Sequence, residues 1–163
     1  MRKRTYLIAG LILALCLAGC QTTTRVYLSS WDTFQGDMLK KYSSISKLKA
    51  EQGPASLYID CYYGDISDDD MDALKSDLKS FLSGDEFLAE YVAYANEKAE
   101  KNTSNFGLMK FMPDIVISLY PNGVTETAWA WASEARYYTQ PYRSDRMMEV
   151  DNYQTWDDWD YSE

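Results

Sequence analysis

Histidine is missing from all 163 residues. Without an imidazole, Ser-His-Asp and Cys-His catalysis are excluded, as are the common His-bearing zinc sites. Cysteine is scarce: Cys16, Cys20 and Cys61 are the whole set. Cations are outnumbered, with 16 Lys and Arg against 25 Asp and Glu and a formal charge of −9. Nucleic-acid binding draws on Lys and Arg to neutralise phosphates, so this balance opposes it. The same balance opposes electrostatic docking of the whole chain onto anionic lipid. The apolar run Tyr6–Leu17 has about twelve residues, too few for a transmembrane helix, which needs roughly 20. The acidic run Asp68-Asp69-Asp70 lacks the glycine and closing glutamate of a calcium loop. No metal site, cofactor motif or internal repeat is legible.

What is present begins at the N-terminus. Arg2, Lys3 and Arg4 precede the apolar run, and the small residues Ala18 and Gly19 follow it. That is the layout of a secretory signal. Its last four residues, Leu17-Ala18-Gly19-Cys20, resemble the lipobox of bacterial lipoproteins. The resemblance covers the first 20 residues and implies a definite chemistry. The Cys20 thiol is diacylated, the signal at 1–19 is removed, and Cys20 becomes the first residue. A single acyl chain anchors only marginally, hence the need for more than one. Removing 1–19 takes Arg2, Lys3 and Arg4 with it, leaving 144 residues at a formal charge of −12.

Gln21, rather than Asp, follows the cysteine. By the same resemblance this implies the outer membrane of a Gram-negative envelope, with the domain facing the periplasm. The alternative is the outer face of a Gram-positive plasma membrane. Residues 20–24 form a short lipidated tether, so the domain should sit close to the bilayer. Lipidation of Cys20 leaves Cys61 alone, and no intramolecular disulfide can form. Cys61 is expected as a small buried apolar residue.

One domain is expected over 25–150. Arg25 to Ser29 alternates and reads as a short strand. Asp32, with Gln35 three residues on, reads as a capping box. Phe34, Met38, Tyr42, Ile45 and Leu48 then recur at steps of four and three, which predicts one helix to about Glu51 before Gly53-Pro54. Leu57, Ile59, Cys61 and Tyr63 alternate with Tyr58, Asp60 and Tyr62, the clearest strand. Ser67 and Asp70 cap a second helix carrying Met71, Leu74 and Leu78. A third starts at Asp85, with Leu88, Tyr91, Val92, Ala95 and Ala99 inward. Residues 102–113 read as a loop. Asp114 to Tyr120 reads as a strand, Pro121-Asn122-Gly123 as a hairpin turn, and Val124 to Ala132 as the returning strand. Residues 134–142 could add an edge. The segment 151–163 interleaves aromatics with carboxylates and reads as a disordered tail.

The expected fold is α+β, a mainly antiparallel sheet of about four strands with three helices packed on one face. The expected function is non-catalytic: a membrane-anchored envelope lipoprotein that binds a protein partner or serves as an accessory factor in assembly. Tyr153, Trp156, Trp159 and Tyr161 are the candidate partner anchors, with the two indoles at a three-residue step. The alternative is a cell-wall glycan-binding module, with Trp129 and Trp131 as a stacking platform.

Overall fold

The computed structural model describes residues 23–53, 56–102, 113–122, 130–138 and 150–160. Among them are six strands: β1 (Thr24–Arg25), β2 (Ile45–Gln52), β3 (Ser56–Tyr63), β4 (Asp114–Pro121), β5 (Trp131–Ala135) and β6 (Trp156–Asp160). The helices are α1 (Ser29–Lys41), α2 (Asp68–Leu82) and α3 (Asp85–Asn102). The strands lie side by side in chain order. Every ladder is antiparallel except β3 with β4. That pair is parallel because α2 and α3 together carry the chain back to the starting end of the sheet. The class is α+β, as the sequence predicts, but the sheet is larger than four strands and mixed.

The central strands are the most buried. Leu57, Ile59 and Cys61 of β3 and Ile115, Ile117 and Leu119 of β4 are fully shielded. They pair side by side on the face that meets the helices. Burying each such aliphatic side chain contributes about 1.5–3 kcal/mol. Over them α2 lays Leu74, Leu78 and Leu82, and α3 lays Phe87, Leu88, Tyr91 and Ala95. An aromatic chain knits the helices into one layer. Phe34 of α1 stacks on Phe81 of α2 at 3.8 Å, and Phe81 meets Phe87 of α3 at 4.9 Å. Such ring pairs add about 0.5–1.5 kcal/mol beyond the area they bury.

Both α2 and α3 start where expected. The Ser67 hydroxyl accepts the Asp70 amide at 3.2 Å and donates to the Asp70 carboxylate at 2.8 Å. The helix predicted over 32–51 is instead a helix and a strand. It starts earlier, at Ser29, and Asp32 makes no cap. Glu90 of α3 closes this end, accepting from the Ser29 amide at 2.8 Å and the Ser30 amide at 3.0 Å. Gln35 donates to the Leu48 carbonyl rather than to a capping box. After Lys41 the chain turns and becomes β2. A bulge between Ile45 and Lys47 lets Ile45 and Leu48, three apart, share the buried face. That spacing imitates a helix.

The returning strand also moves. A tight turn at Pro121-Asn122-Gly123 would pair Leu119 with a residue soon after the turn, but its partner is Trp131. The strand expected at 124–132 therefore overlaps β5 only at Trp131 and Ala132, and residues 123–129 lie outside the described set. Of the edge expected at 134–142, β5 takes the start, and Tyr138 makes a single bridge with Val150.

The segment expected to be a disordered tail is ordered from Asp151 to Asp160. The Asp151 carboxylate accepts from the Gln154 and Thr155 amides at 2.9 and 2.8 Å. Asn152 and Tyr153 turn the chain with φ of 53° and 61°, a costly region for residues with a side chain. The Tyr153 ring, fully buried, offsets that cost. The chain then adds β6 along β5.

Candidate functional site

The helices occupy one face of the sheet; the other is built by the alternate residues of the same strands. Since Leu57, Ile59 and Cys61 face the helices, Tyr58, Asp60 and Tyr62 face away. Register supplies their neighbours. One row runs Lys47, Tyr62, Tyr120; the next Lys49, Asp60, Ser118, Ala132, Trp159; the third Glu51, Tyr58, Val116, Glu134, Asp157. Among the described residues no helix covers this lattice.

Its rings and charges are coupled. Tyr62 and Tyr120 stack at 4.9 Å with planes 15° apart. Lys47 lies over the Tyr62 ring at 5.1 Å. Lys49 reaches Asp60 at 3.1 Å and Glu51 at 3.3 Å. Burial works against the Lys49 charge, but the Asp60 hydrogen bond and the two carboxylates outweigh it and hold the amine well above its usual range. At the far end of the strands, Arg136 clasps Glu134 through two nitrogens at 2.8 and 3.0 Å. Burial, then the Glu134 charge, raises Asp114 above the usual carboxylate range. At the first edge, Arg25 sits over the Tyr27 ring at 5.3 Å, and Tyr27 is 68% exposed. At the last edge, Trp159 is 36% exposed. Such a lattice of rings and paired charges suits a polar contact surface.

The residues singled out from sequence scatter. Trp156 and Trp159 are three apart on a strand, so they point to opposite faces. Trp156 turns to the helices, where its indole N–H donates to the Ser83 hydroxyl at 3.0 Å. Trp159 alone of the two lies on the helix-free face. Tyr153 is buried and cannot anchor a partner: its hydroxyl donates to the Pro113 carbonyl at 3.0 Å. The glycan platform loses a ring as well. Trp131 is 6% exposed and packs on the helix side, with Lys75 and Lys79 over it at 5.1 and 5.2 Å. Its indole is closed to a sugar. Cys20, Trp129 and Tyr161 lie outside the described residues.

Tyr27, Tyr58, Tyr62, Tyr120 and the Lys49–Asp60 pair were not singled out from sequence. The alternation of β3 already separates Tyr58, Asp60 and Tyr62 from the apolar set, and that was the available signal. Lys49 and Tyr120 join them only through pairing, which no local pattern encodes.

Cys61 is buried as expected, and burial, then the Asp60 charge, pushes its thiol up to about 12. Among the described residues no group of three or more Cys, Asp or Glu could hold a metal ion. Nor is any described helix long and apolar enough to cross a membrane. Comparison with family models, with curated proteins and with solved structures gave no match.

Proposed function

We propose that this chain is a lipid-anchored envelope protein whose domain is a non-catalytic protein-binding module, an accessory or assembly factor held at the membrane by acylated Cys20. The Gln21 position favours the outer membrane, with the domain in the periplasm. The observation that carries the binding reading is the sheet face that no helix covers among the described residues, where Tyr58, Asp60, Tyr62 and Glu134 form a half-buried lattice ending in the exposed Trp159. An exposed indole beside a polar, ion-paired surface has the composition of a contact patch, with aromatic rings as its anchors. The complete lack of histidine supports a non-catalytic role.

Two measurements test this reading. Cells given labelled palmitate should label the wild-type chain and not Cys20→Ser, which should leave the membrane fraction. A photo-crosslinker at position 159 of the anchored chain should capture a defined envelope protein, and Tyr58→Ser should weaken that capture. Equal label in wild type and Cys20→Ser removes the anchor. Crosslinks at 159 no more selective than those from the exposed α1 position Lys40 remove the contact patch.

A further inference from the structure

The charge of this domain is not spread evenly over the sheet. On β1 and β2 stand Arg25, Lys47 and Lys49 against a single carboxylate, Glu51. On β5 and β6 stand Glu134, Asp157, Asp158 and Asp160 with no cation in either strand. These are the two opposite edges of the sheet. Five strand spacings of about 4.8 Å separate them by about 24 Å. The positive edge is also the first part of the sheet that follows Cys20 along the chain, since β1 opens at Thr24. Four residues reach at most about 14 Å when fully extended.

We propose that the β1 edge is a membrane-facing surface, on which Arg25, Tyr27 and Lys47 meet the anionic headgroups of the bilayer that holds the Cys20 lipid. The proposal rests on the lipid-anchor reading and adds an orientation to it. The net negative charge of the chain opposes such docking overall, but distance decides the matter. At physiological salt, charges more than about 8 Å apart are largely screened. The acidic edge, about three such lengths away, is not felt at the headgroups, while the tethered cations are. Each Lys or Arg held near an anionic surface gains about fivefold in binding, the equivalent of roughly 1 kcal/mol.

The side chains at this edge suit the task. Tyr27 projects between the buried Val26 and Leu28 and is the most exposed large ring among the described residues. An amphipathic ring of this kind is at home among headgroups. Arg25 sits over it, and Glu51 is engaged by Lys49 and by the Thr23 hydroxyl at 3.1 Å, which masks the one carboxylate of the edge. Seated this way, the domain stands with Trp159 and the acidic edge farthest from the lipid.

The test uses the mature chain purified from membranes, its mass read first for acyl groups on Cys20. It is reconstituted in vesicles of phosphatidylcholine alone or of equal parts phosphatidylcholine and phosphatidylglycerol. Nitroxides are placed at Tyr27→Cys and, separately, at Trp159→Cys, the buried Cys61 staying unlabelled. Position 27 should gain contact with lipid-soluble oxygen and lose contact with a water-soluble nickel chelate in the anionic vesicles. Position 159 should stay in water in both. Arg25→Glu with Lys47→Glu should return position 27 to water, and so should high salt. A chain without acyl mass sinks the anchor and this surface with it. An acylated chain whose position 27 is as wet as 159 in both vesicles overturns the surface and leaves the anchor standing. Protection of position 27 in native membranes but not in protein-free vesicles assigns the edge to a protein and also overturns the proposal.

Discussion

The Tyr153 hydroxyl donates to the carbonyl of Pro113 at 3.0 Å, joining the C-terminal segment to the residue just before β4. The ring beneath it is fully buried and meets Tyr137 at 5.8 Å. The turn at Tyr153 is thus part of the core. Tyr153→Ala should cost about 3–5 kcal/mol, the range for deleting a buried aromatic ring. Tyr153→Phe should cost only about 1 kcal/mol, the share of one hydrogen bond. Urea unfolding of both variants checks this, and equal losses would mean that the ring carries no packing weight.

Trp156 and Trp159 should separate in every solution assay. Trp156→Ala loses the bond to Ser83 and packing on the helix side, for an expected loss of about 2 kcal/mol or more. Trp159→Ala changes an exposed position and should stay within about 0.5 kcal/mol. Iodide quenching should fall sharply in Trp159→Ala and little in Trp156→Ala. The opposite ranking would reverse the assignment of the two faces.

Glu90 predicts an acid limb in stability. The Ser30 hydroxyl bond lowers its carboxyl most; burial opposes this, and the amides of Ser30 and Ser29 add to the lowering, giving about 2 from an ordinary 4.5. A carboxylate lowered in the fold contributes fully above its unfolded value and loses that contribution as pH falls through its folded one. The window is therefore pH 4.5 down to 2. Glu90→Gln should cost about 0.5–2 kcal/mol at neutral pH, the usual worth of a helix N-terminal partner. It should also flatten the stability curve across that window. A variant with an unchanged curve would show that the bonds to α1 carry no net weight.

Cys61 should be inert in the native state. Its thiol is buried and held protonated, pushed up to about 12 by burial and then by Asp60. Only the thiolate attacks a thiol reagent. Labelling at neutral pH should therefore wait for unfolding and follow the denaturant curve. Stoichiometric labelling of the folded chain within minutes would contradict the burial.

Where the sequence was readable, each local rule agreed with the packing. α2 and α3 show clean apolar stripes, Ser67 caps where a cap was expected, and β3 alternates without interruption. β2 was hidden by its bulge, which put Ile45 and Leu48 at a helical interval. β6 was hidden for a related reason. Trp156 and Trp159 imitate one side of a helix, and the carboxylates beside them resemble a solvated end. Lys79 makes the strand acceptable, reaching Asp158 at 2.7 Å from 79 residues earlier in the chain. No window of sequence contains both partners. The outer-face lattice was half legible: β3 displayed its outer set, but Lys49, Tyr120 and Trp159 meet it only once the strands are in register.

Because the strands lie in chain order, a pull between Thr24 and Asp160 would load the five ladders in series, not in parallel. Hydrogen bonds would then open a few at a time from an edge, as a zip does. The two-residue β1 would give way first, so tension on this domain would release the stretch of chain ahead of α1 before it disturbed the centre of the sheet.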